Sequence, residues 1–375
     1  MNIRALLAFT ILLSVIGGHA NATTYAMPAN SNDTVITQYP DGMPLTRADQ
    51  NETLLDVARR FLLGQTEVVR LNPDVDRWLV KKGEIVRLSN RRILPDSPHD
   101  GITLNISEYR MYYYPPTKKG EAPRQVMSYA HGVGRQDWKT PLGQTKVARK
   151  IMNPAWHPPE SIRREHAANG DPLPLVVPPG PHNPLGTRAL HLALPGEYRI
   201  HGTDIDKIHG IGMQITHGCV RMYPEDVEEL YDMVSVGTPV YIVKQPIKVG
   251  WLDNVLYVEA HPDLEGEETT LDQRFAVALG LIQKANNIAR DGAYAGRGDR
   301  PVAPASAAQE MPDFDQQALN KVLKEQSGEP IAIYERLPPL EDMASSMPTP
   351  APVSTPAPAP KPARKASPDG YYHGN

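Results

Sequence analysis

The sequence predicts a mainly β chain. A sandwich or barrel-like sheet is expected over residues 98–245, with a small β-α-α-β unit before it and a helical, then disordered, extension after it. Three observations predict this. Short β-branched and aromatic runs recur between residues 101 and 245 with turn residues between them. Two short helical patterns and a strand crowd into residues 52–89. Of 38 prolines, 14 fall from residue 301 onward, where a packed core is hard to build. At 375 residues, two or three units are expected.

In chain order, residues 1–22 read as a secretory signal. Arg4 supplies the positive start, residues 5–16 are apolar but too short to span a bilayer, and Ala20-Asn21-Ala22 offers a cleavage site. Residues 23–50 are polar and turn-rich and suggest no fold. The small unit is expected at 33–90: a weak strand near 35–39, a helix over 54–63 capped by Thr53, Gly64 as its C′ residue, a second short helix capped by Thr66 and running through Leu71, and a strand over 84–88. Residues 102–106 and 109–114 flank Ser107-Glu108 as a hairpin, and 188–194 and 197–201 flank Pro195-Gly196 as another. Further strands are expected at 124–133, 145–151 and 239–243. Pro224 opens a helix with Val227, Leu230 and Val234 on one face.

Residues 154–184 hold nine prolines and read as an irregular lid-like insert. The extension at 246–300 carries a strand at 255–259 and a helix over 270–289. Residues 301–375 read as a Pro/Ala-rich disordered tail.

The formal charge of −4 gives no electrostatic reason to expect nucleic acid. Apart from the signal, no apolar run is long enough for stable membrane insertion. The single cysteine, Cys219, excludes an internal disulfide framework and a four-cysteine zinc site. In an oxidising, exported setting an idle thiol is a liability, so its presence asks for a reason.

That reason lies in its neighbours. His201-Gly202 sits at a strand end, and fifteen residues after His201 comes the segment Thr216-His217-Gly218-Cys219-Val220-Arg221. A nearby base and positive charge turn a thiol into a nucleophile. Gly218 permits a tight turn whose amides converge on one point, as an oxyanion hole requires.

The pattern His-x14-Thr-His-Gly-Cys-x-Arg resembles the motif of the L,D-transpeptidase (YkuD-like) catalytic domain. Thr140-Pro141-Leu142-Gly143, Arg164-Glu165-His166 and Asn183-Pro184-Leu185-Gly186 look like its periplasmic Gram-negative branch, and residues 52–88 resemble a LysM module. The resemblance covers roughly residues 52–260. It implies a β-sandwich enzyme acting on peptidoglycan tetrapeptide stems with no cofactor and no metal. Cys219 would be the nucleophile and His201 the base, with Gly202, His217, Gly218 and Arg221 in supporting and oxyanion roles. The acceptor would be a second stem, giving 3-3 cross-links, or the lysine of an outer-membrane protein; water would give an L,D-carboxypeptidase.

Two alternatives stand beside this reading. His201, His209, His217 and Cys219 could ligate zinc, although their spacing matches no common zinc motif. The chain could also be a non-catalytic peptidoglycan-binding wall protein. For the enzyme, activity is expected to fall as the His–Cys pair protonates, and a flat rate from about pH 5 to 9 would count against the pair. His191 reads as a satisfied sheet histidine.

Overall fold

The structure, a computed structural model, describes residues 23–39, 44–295 and 313–336. The expected signal at 1–22 and the parts of the expected tail at 301–312 and 337–375 lie outside the described residues.

Residues 23–50 contribute three short strands: β1 (Thr23–Ala26) and β3 (Leu45–Arg47), which the sequence did not announce, and β2 (Val35–Ile36), where the weak strand is expected. They are followed by α1 (Leu54–Arg60), α2 (Gln65–Leu71), β4 (Ile85–Arg87) and β5 (Arg92–Ile93). Thr53 caps α1, its hydroxyl accepting from the Asp56 amide at 3.1 Å. β3 pairs antiparallel with β4, so a β-α-α-β order closes around Leu54, Val57, Ala58, Val68 and Val86.

Two expectations change here. The strand near Val35 is not the first strand of this unit: β2 pairs with β5, because Val35 and Ile36 are both buried and pack outside the unit, Val35 against Tyr257 and Ile36 against Tyr112 and Tyr114. The true partner of β4 is the largely exposed β3, whose sequence carries little apolar pattern. Gly64 is also not the C′ residue of α1. Leu62 takes the left-handed conformation instead (φ 52°), and Gly64 rather than the expected Thr66 is the N-cap of α2, Thr66 lying inside the helix with its hydroxyl turned to the Gly212 carbonyl. The smallness of Gly64 serves a close approach, since a Cβ on Gly212 would lie 2.5 Å from Gly64 Cα.

The large sheet takes in β6 (Gly101–Asn105), β7 (Arg110–Tyr114), β8 (Gln125–Gly134), β9 (Gly143–Met152), β10 (Arg188–Leu192), β11 (Arg199–His201), β12 (Gln214–Thr216), β13 (Val220–Met222) and β14 (Pro239–Val243). The order β8-β13-β11-β10-β9-β14-β6-β7 closes on itself through β7 and β8, and β1 and β12 also join β8. The ring encloses Ile102, Leu104, Val133, Leu190, Ile200, Val220 and Val240, and α4 (Pro224–Met233) covers it with Val227 and Leu230. The mainly-β expectation holds: the first hairpin turns at Ser107-Glu108 in the expected register, and the second pairs antiparallel with His191 opposite Arg199, across a connection longer than Pro195-Gly196 alone.

The lid-like insert is less irregular than its prolines suggest. Residues between Pro159 and Asn169 form α3 (Glu160–Ala168); the prolines flank this helix rather than interrupt it, and Pro is tolerated at a helix start.

Beyond the ring, β15 (Ile247–Leu252) and β16 (Val255–Ala260) form a hairpin, and α5 (Leu271–Ala295) follows. The segment 313–336, which the proline count assigns to the tail, is structured. It forms α6 (Gln316–Glu325), capped by Asp315, and β17 (Ile331–Glu335), which extends the β16 edge. Pro330 separates α6 from β17, and Leu319, Val322 and Leu323 share a core with Trp251, Leu256 and Ile282. Among the described residues no helix is long and apolar enough to cross a membrane.

Candidate active site

β11 and β13 run parallel, with Ile200 opposite Val220 and His201 opposite Arg221. Ile200 and Val220 point into the ring core. Strand alternation therefore sends Arg199, His201 and Arg221 to the other face. Cys219, two residues before Arg221, opens onto that same face. The positive charges of Arg199 and Arg221 act on both Cys219 and His201. The sequence-predicted His201, Cys219 and Arg221 thus converge.

The His201 ring is 5% exposed, and its Nδ1 lies 2.7 Å from the Gly202 carbonyl oxygen. That carbonyl can only accept, so Nδ1 carries the proton and Nε2 keeps its lone pair. Burial, and after it the Arg221 charge, push the His201 pKa down to about 3, against the opposing Gly202 hydrogen bond. Cys219 is partly exposed, and its Sγ donates to the Glu197 carbonyl at 3.5 Å. Burial pushes its pKa up, while the Arg199 backbone amide and the Arg199 and Arg221 charges pull the other way. At rest the thiol and the imidazole are both neutral. Burial lowers the Arg221 pKa, and Asp204 and Cys219 offset part of that.

The Gly218 turn takes φ +95°, and a Cβ there would meet the Tyr198 ring at 3.0 Å. Thr140 Oγ1 donates to the Gly218 carbonyl at 3.0 Å and accepts from the Gly134 amide at 3.1 Å. Thr216 Oγ1 donates to the Cys219 carbonyl at 2.6 Å. The cysteine loop is thus strapped to β8 and to its own approach strand.

His217 faces the insert rather than a catalytic partner in the cysteine loop. Its Nε2 lies 3.1 Å from Glu165 Oε2, on α3, and its ring meets Trp138 edge-on at 5.3 Å. Glu165 also accepts from Arg135 at 2.6 Å. The two hydrogen bonds, Arg135 first, hold its carboxyl below the usual range. His209 is exposed on a short turn. His191 is a sheet histidine with its ring hydrogen-bonded, as expected, and it sits opposite Arg199 across β10 and β11.

Arg199 and Glu197 join the site without having been singled out in the sequence, and Glu165 joins it in a role its motif does not disclose. Arg199 was findable, because two residues before a strand histidine is the same face. Glu165 stands in the Arg164-Glu165-His166 segment already noted, but its pairing with His217 comes only from tertiary folding of the insert.

The family model for YkuD, the L,D-transpeptidase catalytic domain, matches residues 99–242. The probable L,D-transpeptidase YbiS of Escherichia coli K12 is 31% identical over 341 residues, covering 89% of this chain and 100% of the relative. The chain belongs to the L,D-transpeptidase family. The probable L,D-transpeptidase YcfS of E. coli K12 is 36% identical over 256 residues, covering 65% of this chain and 77% of its own length. The probable L,D-transpeptidase ErfK/SrfK of Salmonella typhimurium is 31% identical over 337 residues, covering 88% and 98%. The matched L,D-transpeptidase catalytic domain, an acyltransferase, spans the closed ring from β6 to β14 and contains all six residues singled out from the sequence.

Proposed function

We propose that this chain is an exported, periplasmic L,D-transpeptidase that acts on peptidoglycan tetrapeptide stems through a thioester on Cys219. The observation that carries the reading is the common face of Cys219, His201 and Arg221, with the His201 Nε2 lone pair left open by the Gly202 hydrogen bond.

The chemistry follows from that face. Cys219 Sγ attacks the carbonyl carbon of the amide between the third stem residue and the terminal D-Ala. His201 Nε2 takes the thiol proton as the C–S bond forms. The Gly218 and Cys219 amides hold the oxyanion. Collapse breaks the C–N bond, and His201 returns the proton to the departing D-Ala amine. An acceptor amine then attacks the thioester, His201 takes its proton, and the thiol is regenerated. A stem amine as acceptor gives a 3-3 cross-link, and the lysine of an outer-membrane protein gives an attached protein. Water would give carboxypeptidase products. Glu165 and Arg135 fix His217, which supports the cysteine loop. The β-α-α-β unit at 45–87 would act as a LysM-type module toward the glycan.

The test uses the purified full chain and a tetrapeptide stem. D-Ala release should accompany a covalent adduct on Cys219 by intact-mass spectrometry. Cys219→Ala should lower turnover by roughly a thousandfold or more. Turnover surviving that change would overturn the cysteine mechanism. Muropeptide mass spectrometry of cells gaining or lacking the protein identifies the acceptor.

A further inference from the structure

A second group of charged side chains stands beside Cys219 and takes no part in the steps above. Arg199 lies on β11 two residues before His201 and opposite His191 of β10. Its side chain is only 15% exposed, and its Nε donates to His191 Nε2 at 3.0 Å. Burial, then the charges of Arg199 and Arg149, push the His191 pKa down to about 4, so the ring is neutral and free to accept that bond. The guanidinium is thereby fixed in direction by an uncharged partner, which leaves its charge uncompensated from behind.

Its outer edge is covered by the carboxylate of Glu197, which is hydrogen-bonded to Arg199 yet 65% exposed. The two partners differ: the cation is held in the sheet, and the anion is a solvent-facing side chain on a loop. Such an anion is easily exchanged for another carboxylate, which a guanidinium receives with two parallel hydrogen bonds. The location is fixed by the backbone, since the Glu197 carbonyl is the acceptor of the Cys219 thiol. A carboxylate on Arg199 would therefore sit about one residue from the reacting sulfur.

We propose that Arg199, oriented by His191, is a carboxylate-recognition subsite for the donor stem, and that Glu197 occupies it until substrate displaces it. This rests on the transpeptidase reading, under which the donor carries a carboxylate on its terminal D-Ala and another on the side chain of its third residue. Both lie within a residue of the scissile amide. Arg199 is a specificity residue, and Glu197 is a built-in competitor.

The test has two readouts. The first needs no transpeptidase activity. Because Cys219 is the only cysteine in the chain, alkylation by iodoacetate, which carries a carboxylate, is compared with alkylation by neutral iodoacetamide. Arg199→Gln should lower the iodoacetate-to-iodoacetamide rate ratio about tenfold, Glu197→Gln should raise it severalfold, and Arg199→Lys should fall between. The second readout is D-Ala release from three donors: the natural tetrapeptide, its C-terminal amide, and the form amidated on the third side chain. Arg199→Gln should raise KM about tenfold or more for the natural donor. It should leave unchanged the KM of whichever amidated donor has lost the recognised carboxylate, and this distinguishes the two carboxylates. Glu197→Gln should lower KM for the natural donor.

An equal KM rise for all three donors, or an unchanged alkylation ratio in folded Arg199→Gln and Arg199→Lys proteins, overturns the subsite. Ratios that shift as expected, with no donor turned over by the wild type, support the subsite and overturn the transpeptidase reading instead.

Discussion

At the scale of single residues, burial has moved the titration of His201 away from its ordinary range. The base must be neutral to accept the thiol proton. Its folded pKa of about 3 means it is neutral at every pH well above that value, and activity is lost only as pH falls toward it. The acid limb of kcat/KM for D-Ala release should therefore inflect below about pH 4.5. This revises the expectation that a flat rate above pH 5 would count against the His–Cys pair. An inflection between pH 6 and 7 would mean that His201 is solvated rather than buried. The Gly218 turn makes a second residue-scale case. With φ +95° and the Tyr198 ring 3.0 Å from where a Cβ would stand, Gly218→Ala should cost about 1–3 kcal/mol of local strain. The sulfur should shift with it, so turnover should fall further than the melting temperature does; equal losses in both would point to general destabilisation.

At the scale of elements, the notable joint is between α2 and the ring. Glu67, on α2, accepts from Arg110 of β7 at 2.8 Å and also from Arg92 of β5. Both guanidinium groups are essentially inaccessible. Burial alone would raise the Glu67 pKa, but the charges of Arg92 and Arg110 outweigh it and hold the carboxyl far below its usual range. Removing that anion leaves two buried cations without it, so Glu67→Gln should destabilise by about 3–5 kcal/mol. Urea unfolding measures this, and a change under about 1 kcal/mol would show that water reaches the arginines. The same unit also docks through the Thr66 hydroxyl, which donates to the Gly212 carbonyl at 2.5 Å, and through the Tyr223 hydroxyl, which donates to the Leu63 carbonyl at 3.0 Å. The loop that precedes the cysteine motif is thus seated on α2. A further joint lies under β15 and β16, where Lys248 bridges Glu108 and Glu259 at 2.7 and 2.8 Å.

At the scale of the whole molecule, buried neutral histidines set the response to acid. His131 and His201 are buried, and burial pushes their pKa values down to about 4 and about 3. Unfolded, each binds a proton near pH 6.5. The stability they confer is whole above that value and is lost as pH falls through the window from 6.5 toward 4 and 3, at about 1.4 kcal/mol per pH unit for each. Glu67 adds to the loss below about pH 4.5. Asp226 works in the opposite sense, because burial raises its pKa well above the usual value and the cost of keeping it protonated fades in acid. The urea midpoint should therefore drop steeply between pH 6.5 and 4. His131→Gln should flatten that slope by about one proton, and an unchanged slope would show that His131 does not carry it.

Local pattern in the chain carries the mainly β class, the two hairpins, α4 with its Pro224 start, and the linear motif from His201 to Arg221. These are legible because strand alternation, helix capping and turn chemistry act over a few residues. The tertiary structure alone decided the rest. It placed Leu45–Arg47 rather than Val35 beside β4, because an exposed edge strand carries almost no apolar pattern. It folded 313–336 onto β16, because an amphipathic helix is stable only where its apolar face finds a partner. It brought Glu165 to His217 and set Arg199 beside the sulfur, because those contacts depend on chain closure and strand register. It also set the protonation state of His201, since a pKa is a property of burial and surrounding charge that a motif does not encode.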